Sequence, residues 1–359
     1  MSHKFPYKWY LKDGYPAKGI KDNGLKVFGT FICGGGSTMG YKLAGYDVIG
    51  CNEIDPKMME AYRTNHNPKY SYLEPIQEFK LRKDLPKELY NLDILDGSPP
   101  CSSFSIAGNR EKDWGKKKKF REGQAEQVLD NLFFDFIDLA KELQPKIVVA
   151  ENVKGILLGN AVKYVTKIHK EFEKAGYHCQ HFLLDAAKMG VPQTRKRVFF
   201  ICTRKDILKQ LPRQFGLFNE APELKLKFNE PKITFKEIED ITDVKEIESA
   251  TEASRLWEVT SPGDSFSKIH KKGYYFGCNK VHPNCTIPTI IADLGSSSYH
   301  HSIKRVLNDL ENKRASTFPI DYIFGKNKVK YIAGMSVPPV MMAQVATEIY
   351  NQWLSKLKQ

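Results

Sequence analysis

The chain has 359 residues, 41% hydrophobic and 27% charged, which is enough to bury one sizeable core and a smaller second one. Its 55 Lys and Arg outnumber 42 Asp and Glu, and the formal net charge of +13 favours a polyanionic partner such as nucleic acid. No apolar run is long enough for a membrane-spanning helix, and the N-terminal extension 1–24 is Lys-rich without the apolar core of a signal peptide. These properties exclude a membrane protein and predict a soluble, cytoplasmic one.

Apolar, β-rich runs alternate with segments of helical period over residues 25–203. The predicted strands are Leu25–Phe31, Tyr46–Asn52, Leu92–Asp96, Lys146–Ala150, His181–Asp185 and Arg197–Thr203. Between them, Asn131–Leu143 and Ala161–Ala175 repeat apolar residues at helical spacing. This alternation predicts an α/β fold with a doubly wound, mostly parallel sheet.

The pattern changes beyond residue 203. Residues 204–301 are charged and irregular, then rich in Gly, Ser, Tyr and His, with only short strand-like pieces such as Thr286–Ala292. We expect a small separate domain here. The C-terminal segment 302–359 returns to helical period in Pro339–Lys356, whose apolar stripe predicts a helix that packs back on the large domain.

The seven cysteines are odd in number, scattered, and never arranged as Cys-x-x-Cys. They are Cys33, Cys51, Cys101, Cys179, Cys202, Cys278 and Cys285. This usage argues against a disulfide framework and against a structural zinc site, so no metal is expected. A reducing compartment fits best.

Four candidate functional groups follow directly after predicted strands: Cys33 to Gly36, Glu53, Pro99 to Cys101, and Glu151. The carboxyl ends of strands in an open α/β sheet share one rim, where ligands bind. We therefore expect these sequence-distant groups to converge on one crevice.

Cys101 ends the stretch Gly97-Ser98-Pro99-Pro100-Cys101, directly after the predicted strand Leu92–Asp96. Two adjacent prolines fix φ and remove two backbone donors, so the cysteine lies on a stiff turn. A buried, inert cysteine is the commoner case in general, but this position and its small neighbours favour a nucleophile.

Gly34-Gly35-Gly36 is a turn that lets the backbone approach a ligand, and the Glu53 carboxylate is placed to accept both hydroxyls of a ribose. The dinucleotide fingerprint and the Walker lysine-serine pair are both missing. A methyl donor with a ribose fits better than a nucleoside triphosphate.

The carboxyl group of Glu151 follows four apolar residues and is suited to donate a proton or hydrogen bond near neutral pH. Gln193-Thr194-Arg195-Lys196-Arg197 precedes a strand, so Arg195 and Arg197 are expected to face one side, where guanidinium groups clamp oxygen atoms. The competing interpretations are a salt-bridged glutamate and a surface basic cluster.

In order and spacing, these segments resemble the DNA (cytosine-5) methyltransferases of bacterial type II restriction-modification systems, over residues 25–355. The resembling segments are Phe31–Gly36, Asn52–Asp55, Pro99–Cys101, Leu132–Asp135, Glu151–Val153, Gln193–Arg197, Arg314 with Thr317–Pro319, and Gly334–Pro339. The resemblance implies a Rossmann-like catalytic domain at 25–203 that binds S-adenosyl-L-methionine, and a small, irregular target-recognition region at 204–301.

The resemblance also implies which residues bind that cofactor. They are Phe31, Gly34, Gly35, Gly36, Glu53, Ile54, Ile76, Pro99, Leu132, Ser336 and Val337. Three positions depart from the family pattern: Gly29 and Pro75 replace aspartates, and Met335 replaces an asparagine. Glu74 is the candidate for the acceptor lost at Pro75.

The implied reaction begins when Cys101 adds to C6 of cytosine, which makes C5 nucleophilic. Glu151 hydrogen-bonds or protonates N3, Arg197 and Arg195 bind the O2 side, and C5 takes the methyl group. Because no general base is evident, we expect water to take the C5 proton.

A paired base cannot reach the nucleophile, so the target cytosine of double-stranded DNA must flip out of the helix. Ile106–Arg121 is the expected closing loop, although an isolated lysine run is equally typical of a solvated loop. The expected DNA contacts are Arg110, Lys116, Lys117, Lys118, Lys119, Arg121, Tyr274, Tyr275, Asn279 and Lys280. An aromatic mini-core competes as the role of Tyr274 to Lys280.

The resemblance predicts a monomer associated with the nucleoid, with a cognate restriction endonuclease acting separately. Two alternatives stay open: a tRNA cytosine-5 methyltransferase, and a non-catalytic DNA-binding or regulatory module suggested by Pro75 and Met335. Ser102-Ser103-Phe104-Ser105 after the nucleophile resembles the DNA branch, and retention of Cys101 and Glu151 counts against a non-catalytic module.

Overall fold

The computed structural model describes residues 3–100, 131–212, 222–242, 245–248, 251–292, 295 and 297–357. Its strands are β1 (Lys26–Thr30), β2 (Asp47–Glu53), β3 (Tyr70–Leu73), β4 (Ile94–Gly97), β5 (Ile147–Val153), β6 (Tyr177–Asp185), β7 (Lys196–Arg204), β8 (Asn279–Lys280) and β9 (Ser298–Tyr299). Its helices are α1 (Gly36–Leu43), α2 (Pro56–His66), α3 (Ile76–Phe79), α4 (Leu132–Leu143), α5 (Val162–Lys174), α6 (Lys205–Leu208), α7 (Phe235–Ile238), α8 (Glu252–Val259), α9 (Phe266–Ile269), α10 (Asp309–Ala315), α11 (Val329–Met335) and α12 (Pro339–Gln352). Among these described helices, none has the length and apolar character needed to cross a membrane.

Seven strands form one sheet in the order β3-β2-β1-β4-β5-β7-β6. Strands β1 to β5 pair in parallel, and β7 runs antiparallel to both of its neighbours, β5 and β6. The doubly wound, mostly parallel sheet predicted from the sequence is confirmed. Strand β3 was not predicted, because its four residues gain their place by pairing with the edge of β2.

Helices cover both faces of the sheet and form a core on each. One core joins α1 and α12, and the other joins α4 and α5. Helices α1 and α12 approach closely at Gly40, where a Cβ atom would lie 2.5 Å from Cβ of Met342. The C-terminal helix therefore packs against the catalytic sheet.

The described residues between β7 and α10 form only short elements, none longer than the eight residues of α8, and supply most of two small apolar clusters. Thr286–Ala292, expected as a strand-like piece, forms only one isolated bridge, between Ile287 and Gln193. The side chains of Arg305 and Glu311 are almost fully buried and pair in two places, Nη1 to Oε2 at 2.7 Å and Nη2 to Oε1 at 2.9 Å. This buried ion pair lies in a region that has only small apolar clusters.

Cys179 and Cys202 face each other across β6 and β7 and are joined as a disulfide. Their spacing in the sequence gave no sign of this pairing. The sequence argued against a disulfide framework; strand register, which decides which residues meet, brings this one pair together.

We expect Glu311→Ala to lower the free energy of unfolding by roughly 3–5 kcal/mol, because it leaves the Arg305 guanidinium buried without its partner. Glu311 also accepts hydrogen bonds from the backbone N–H groups of Asn308 and Asp240. Urea denaturation followed by circular dichroism measures the change. Glu171→Ala, which removes a surface pair with Lys174, is the control, and an equal loss of stability in both variants would contradict the prediction.

Candidate functional site

A cleft opens at the carboxyl ends of β1, β2 and β4, with a volume of about 780 Å³ including its open mouth. The lining residues are Phe31, Cys33, Asn52, Glu53, Ile54, Asp55, Met58, Glu74, Ile76, Ser98, Pro100, Leu132, Tyr331 and Met335. Five of the residues expected to bind a cofactor are therefore brought together here: Phe31, Glu53, Ile54, Ile76 and Leu132.

Glu53 is a buried carboxylate at the end of β2, and the backbone holds it in place. Its Oε2 accepts a hydrogen bond from the N–H of Cys33 at 2.9 Å, and Oε1 accepts from Ile54 at 2.9 Å and Asp55 at 3.0 Å. Burial raises the pKa of Glu53, while these hydrogen bonds oppose the shift. A carboxylate has about four acceptor positions, so one on Oε2 stays open toward the cleft.

The chain after β1 adopts a rare backbone conformation. Phe31 and Cys33 have φ values of 51° and 47°, in the left-handed region that non-glycine residues seldom occupy. This conformation turns the Cys33 N–H toward Glu53. Strain of this kind is typical of functional sites.

The glycine turn serves a purpose that the sequence did not show. A Cβ atom at Gly34 would lie 2.1 Å from Ile332, and one at Gly36 would lie 2.0 Å from the carbonyl oxygen of Val337. Gly35 has φ 70° and precedes α1. None of the three glycines lines the cleft. Gly34 and Gly36 are required because residues 332–337 pack directly on the turn, and Gly35 because its φ is positive and its Cβ atom would lie 2.5 Å from the His66 ring.

Among the residues of 334–339, Met335 lines the cleft, while Ser336 and Val337 do not. Both Ser336 and Val337 are buried, at 4% exposure each. Pro99 is also absent from the lining, although Ser98 and Pro100 belong to it. The sequence motifs therefore located the correct segments but not always the residue that faces the cavity.

Glu74 and Asn52 complete the polar side of the cleft. Both carboxylate oxygens of Glu74 accept from Nη1 of Arg82, at 3.0 and 3.2 Å. The Asn52 amide donates to the carbonyl oxygens of Tyr72 and Glu74 at 3.2 and 2.9 Å, which ties β2 to β3. Nothing in its sequence motif singled out Asn52.

The diproline turn is fastened to the neighbouring strand β5. The amide nitrogen of Asn152 donates to the carbonyl oxygen of Pro99 at 3.2 Å, and its oxygen accepts from the N–H of Val153 at 2.9 Å. Cys101 follows Pro100 in the chain and lies outside the described residues. Asn152 thus couples the turn before Cys101 to the strand that carries Glu151.

Glu151 and Arg197 form a buried ion pair across β5 and β7. Nε of Arg197 lies 2.9 Å from Oε1 of Glu151, and the two side chains are 14% and 10% exposed. Burial lowers the pKa of Arg197, and the charge of Glu151 opposes that shift. The salt-bridged glutamate considered from the sequence is present, and its partner is one of the two predicted arginines.

Arg195 is buried differently from Arg197. Its Nη1 donates to the carbonyl of Ile290 at 3.2 Å, and its Nη2 donates to the carbonyls of Gly334 and Ser336 at 2.9 and 3.0 Å. With 2% exposure it has no surface for a substrate. The sequence predicted that Arg195 binds the O2 side of the base; in this structure its guanidinium contacts backbone carbonyls instead.

Asp96, near the end of β4, is a buried carboxyl group that the sequence did not single out. Tyr41 Oη donates to its Oδ1 at 3.1 Å, and Ser37 forms a second side-chain hydrogen bond. Burial, reinforced by the charge of Glu151, raises the pKa of Asp96 to about 7. Two acidic groups, Asp96 and Glu151, therefore lie at neighbouring strand ends.

The chain matches the family described as C-5 cytosine-specific DNA methylase over residues 25–351. It belongs to that family. The resemblance inferred from the motifs is confirmed, and the chain is by class a DNA cytosine-5 methyltransferase.

Several relatives are named type II methyltransferases. M.NgoFVII of Neisseria gonorrhoeae is 28% identical over 345 residues, covering 91% of this chain and 87% of that protein. M.FnuDI of Fusobacterium nucleatum is 36% identical over 183 residues, covering 51% of this chain and 48% of that protein. The match to M.FnuDI therefore spans about half of that relative's length.

Solved structures of similar fold agree with the sheet described above. A DNA modification methyltransferase encoded within an Escherichia coli prophage superposes with a TM-score of 0.65 at 21% identity, covering 91% of this chain and 99% of that one. A Spodoptera frugiperda DNMT2 variant superposes with a TM-score of 0.60 at 16% identity over the same shares. At these identities the likeness shows the fold alone.

In this C5 methylase, the predicted recognition residues have unequal exposure. Tyr274 is 60% exposed and stacks on His270, whereas Tyr275 packs against the small cluster around Phe266. Asn279 donates to the carbonyl of Gly277 at 3.1 Å. Of these two neighbours, Tyr274 is exposed, whereas Tyr275 belongs to a small aromatic core, as the competing interpretation predicted.

Lys280, a predicted DNA contact, is buried in this structure. Its side chain lies against the Trp257 ring, with Nζ 3.7 Å from the ring centroid, and Nζ donates to the carbonyl of Trp257 at 3.0 Å. The residue is 7% exposed. Six other expected contacts lie outside the described residues: Arg110, Lys116, Lys117, Lys118, Lys119 and Arg121.

Asp96 predicts a measurable pH dependence of stability. Its pKa rises from 3.8 to about 7 in the folded chain, so the folded chain holds a proton that the unfolded chain releases. Its contribution is complete below pH 4 and is lost as the pH rises to 7. Relative to Asp96→Asn, we expect wild-type stability to fall by up to ~4 kcal/mol between pH 4 and pH 8.

Urea denaturation of both proteins across that range measures the difference. Asp47→Asn, at an exposed position of β2, is the control and should keep the wild-type profile. A difference between wild type and Asp96→Asn that does not change with pH would rule out the shift.

Proposed function

We propose that this protein transfers a methyl group from S-adenosyl-L-methionine to C5 of cytosine within a specific double-stranded DNA sequence. The observation that carries the proposal is the convergence of three groups at adjacent strand ends of a C5 methylase. These groups are the Glu53 cleft, the diproline turn that Asn152 holds, and the Glu151–Arg197 pair.

The cleft fits the cofactor in the distribution of its polar and apolar groups. S-adenosyl-L-methionine supplies an electrophilic methyl group when it is bound. The open acceptor position on Glu53 Oε2 suits a ribose hydroxyl, and the apolar side chains of Phe31, Ile54, Ile76 and Leu132 suit a flat purine ring. The three other acceptor positions of Glu53 already serve the backbone, which supports one strong ribose contact instead of two.

The chain's own groups would act on the cytosine. The Cys101 thiolate forms a bond to C6, and the displaced electron pair makes C5 nucleophilic. A proton carried by Glu151 is donated to N3, which is an acceptor, as charge develops there, and it returns to Glu151 when the thiolate leaves; Arg197 holds the Glu151 carboxyl group and faces the O2 side. After methylation, water takes the C5 proton, and the returning electron pair expels the thiolate.

Binding to DNA is proposed to flip the target base toward Cys101, with Ile106–Arg121 closing over it and its lysines contacting phosphates. Tyr274, with 60% of its surface exposed, supports a base-reading role for the region 204–301. We propose that the protein acts as a monomer in the bacterial cytoplasm, at the nucleoid. A cognate restriction endonuclease would act separately on the same sequence.

Expression in a methylation-free bacterial host, followed by bisulfite sequencing of its genomic DNA, tests the activity. We expect methylcytosine in one fixed sequence context with wild type and none with Cys101→Ala. Cys285→Ala, which removes an exposed cysteine, is the control and should methylate as wild type does. Methylated tRNA with unmethylated DNA would instead support the tRNA alternative.

The role of Glu53 is tested by calorimetric titration with S-adenosyl-L-methionine. Glu53→Gln keeps the shape and removes a charged acceptor, so we expect affinity to fall by roughly 10-fold or more. Glu88→Gln, on the outer edge of the sheet and paired with Lys69, is the control. Equal affinities of wild type and Glu53→Gln would remove Glu53 from the site, and no binding by wild type would favour the non-catalytic module.

A further inference from the structure

The N-terminal segment 3–24 precedes the range 25–351 that matches the family, and the proposed reaction gives it no role. Its residues Trp9 and Ala17 are nevertheless buried in the core that joins α1 and α12. The segment also contacts the end of α1, where the N–H of Ala17 donates to the carbonyl of Leu43 at 3.1 Å. Residues 3–24 are therefore integral to the fold around the sheet.

Trp9 holds the segment 317–322, which follows α10. Its Nε1 donates to the carbonyl of Thr317 at 2.9 Å, and its own carbonyl accepts from the N–H of Ile320 at 2.9 Å. Thr317 has a φ of 56°, in the left-handed region that non-glycine residues seldom occupy. The indole therefore helps to keep the start of this segment in a rare conformation.

Asp321 and Tyr322 connect the N-terminal segment to the glycine turn that follows β1. The Asp321 carboxylate accepts from the backbone N–H groups of Leu11 and Lys12, at 2.6 and 3.1 Å. Tyr322 is buried, and its Oη donates to the carbonyl of Gly34 at 2.9 Å. Two consecutive residues therefore bind the N-terminal segment on one side and the turn on the other.

The turn needs support of this kind because its backbone is strained. Phe31 and Cys33 have φ angles of 51° and 47°, and such angles persist only where the surrounding structure enforces them. This backbone directs the Cys33 N–H toward the Glu53 carboxylate, 2.9 Å away. The bond from Tyr322 fixes the carbonyl of the next residue, Gly34. It therefore acts on the part of the turn that holds Glu53.

We propose that Tyr322 is a positioning residue for the cofactor site and that the N-terminal segment 3–24 holds it in place. By fixing the Gly34 carbonyl, Tyr322 keeps the turn in the conformation that presents the Cys33 N–H to Glu53. Without this bond the turn relaxes, Glu53 is held less firmly, and S-adenosyl-L-methionine binds more weakly. The effect on cofactor binding rests on the proposed function, whereas the effect on the turn does not.

Tyr46 offers a matched control, because it makes the same kind of hydrogen bond elsewhere in the same core. Its Oη donates to the carbonyl of Ala346 at 2.9 Å, and it is 4% exposed, against 2% for Tyr322. Tyr46→Phe and Tyr322→Phe each remove one buried hydrogen bond, so we expect similar losses of melting temperature. Only Tyr322→Phe alters a contact to the glycine turn.

Hydrogen exchange followed by mass spectrometry, on the full chain without cofactor, tests the effect on the turn. The N–H of Gly35 donates to the carbonyl of Ile32 at 2.8 Å and reports on its closure. We expect Tyr322→Phe to raise the exchange rate of peptides that contain Gly35 by about 3- to 10-fold, and Tyr46→Phe to leave it at the wild-type value. Equal exchange in the two variants would overturn the proposal.

Calorimetric titration with S-adenosyl-L-methionine tests the effect on the site. We expect Tyr322→Phe to weaken binding by about 3- to 10-fold, Trp9→Phe to weaken it less, and Tyr46→Phe to bind as wild type does. If wild type binds and Tyr322→Phe binds equally well, the positioning role is wrong and the proposed function stands. If wild type does not bind, the proposed function fails, and the exchange experiment decides the role of Tyr322 in the turn.

A second pair of variants applies if Tyr322→Phe does not fold. Trp9→Phe keeps an aromatic ring and loses the bond to Thr317, and Trp257→Phe loses an equivalent bond from Nε1 to the carbonyl of His300. We expect faster exchange at the glycine turn in Trp9→Phe alone. Equal exchange in these two variants would overturn the role of the N-terminal segment.

Discussion

The Arg195 guanidinium is the contact on which the arrangement of the cleft depends. By donating to the carbonyls of Ile290, Gly334 and Ser336, it brings two distant segments to the start of β7. The segment that ends at Val337 then packs so tightly on the glycine turn that no side chain fits at Gly34 or Gly36. That turn carries the Cys33 N–H, which holds Glu53. The buried Arg195 guanidinium therefore helps to set the position of the Glu53 carboxylate without contacting it.

Buried charges of both signs are gathered at the carboxyl ends of neighbouring strands. Glu53 is held by backbone N–H groups, Glu151 by Arg197, and Asp96 by hydroxyl groups. Burial, reinforced by the charge of Glu151, raises the pKa of Asp96 to about 7. The strand ends differ in chemistry although their positions in the sheet are equivalent.

Much of the fold follows from local patterns. The apolar period of two or 3.6 residues located six of the seven strands of the sheet and the long helices α4, α5 and α12, because each buries one face or both. Strand β3 was not predicted because its partly exposed residues show no such pattern. The sequence did not predict the hydrogen bond from Asn152 to Pro99 or the contact of Lys280 with Trp257, because both join segments that are separated in the chain.

The sequence by itself determined the family, the parallel α/β sheet and which segments reach its functional rim, since motif order and hydrophobic period are properties of the chain alone. The tertiary structure decided which side chain of each segment faces the cleft. Met335 lines the cavity and Ser336 does not. Arg197 pairs with Glu151, whereas Arg195 is buried against backbone carbonyls. The physical reason is that a buried polar group must find its partner wherever the fold provides one, and neighbours in sequence do not show where that is.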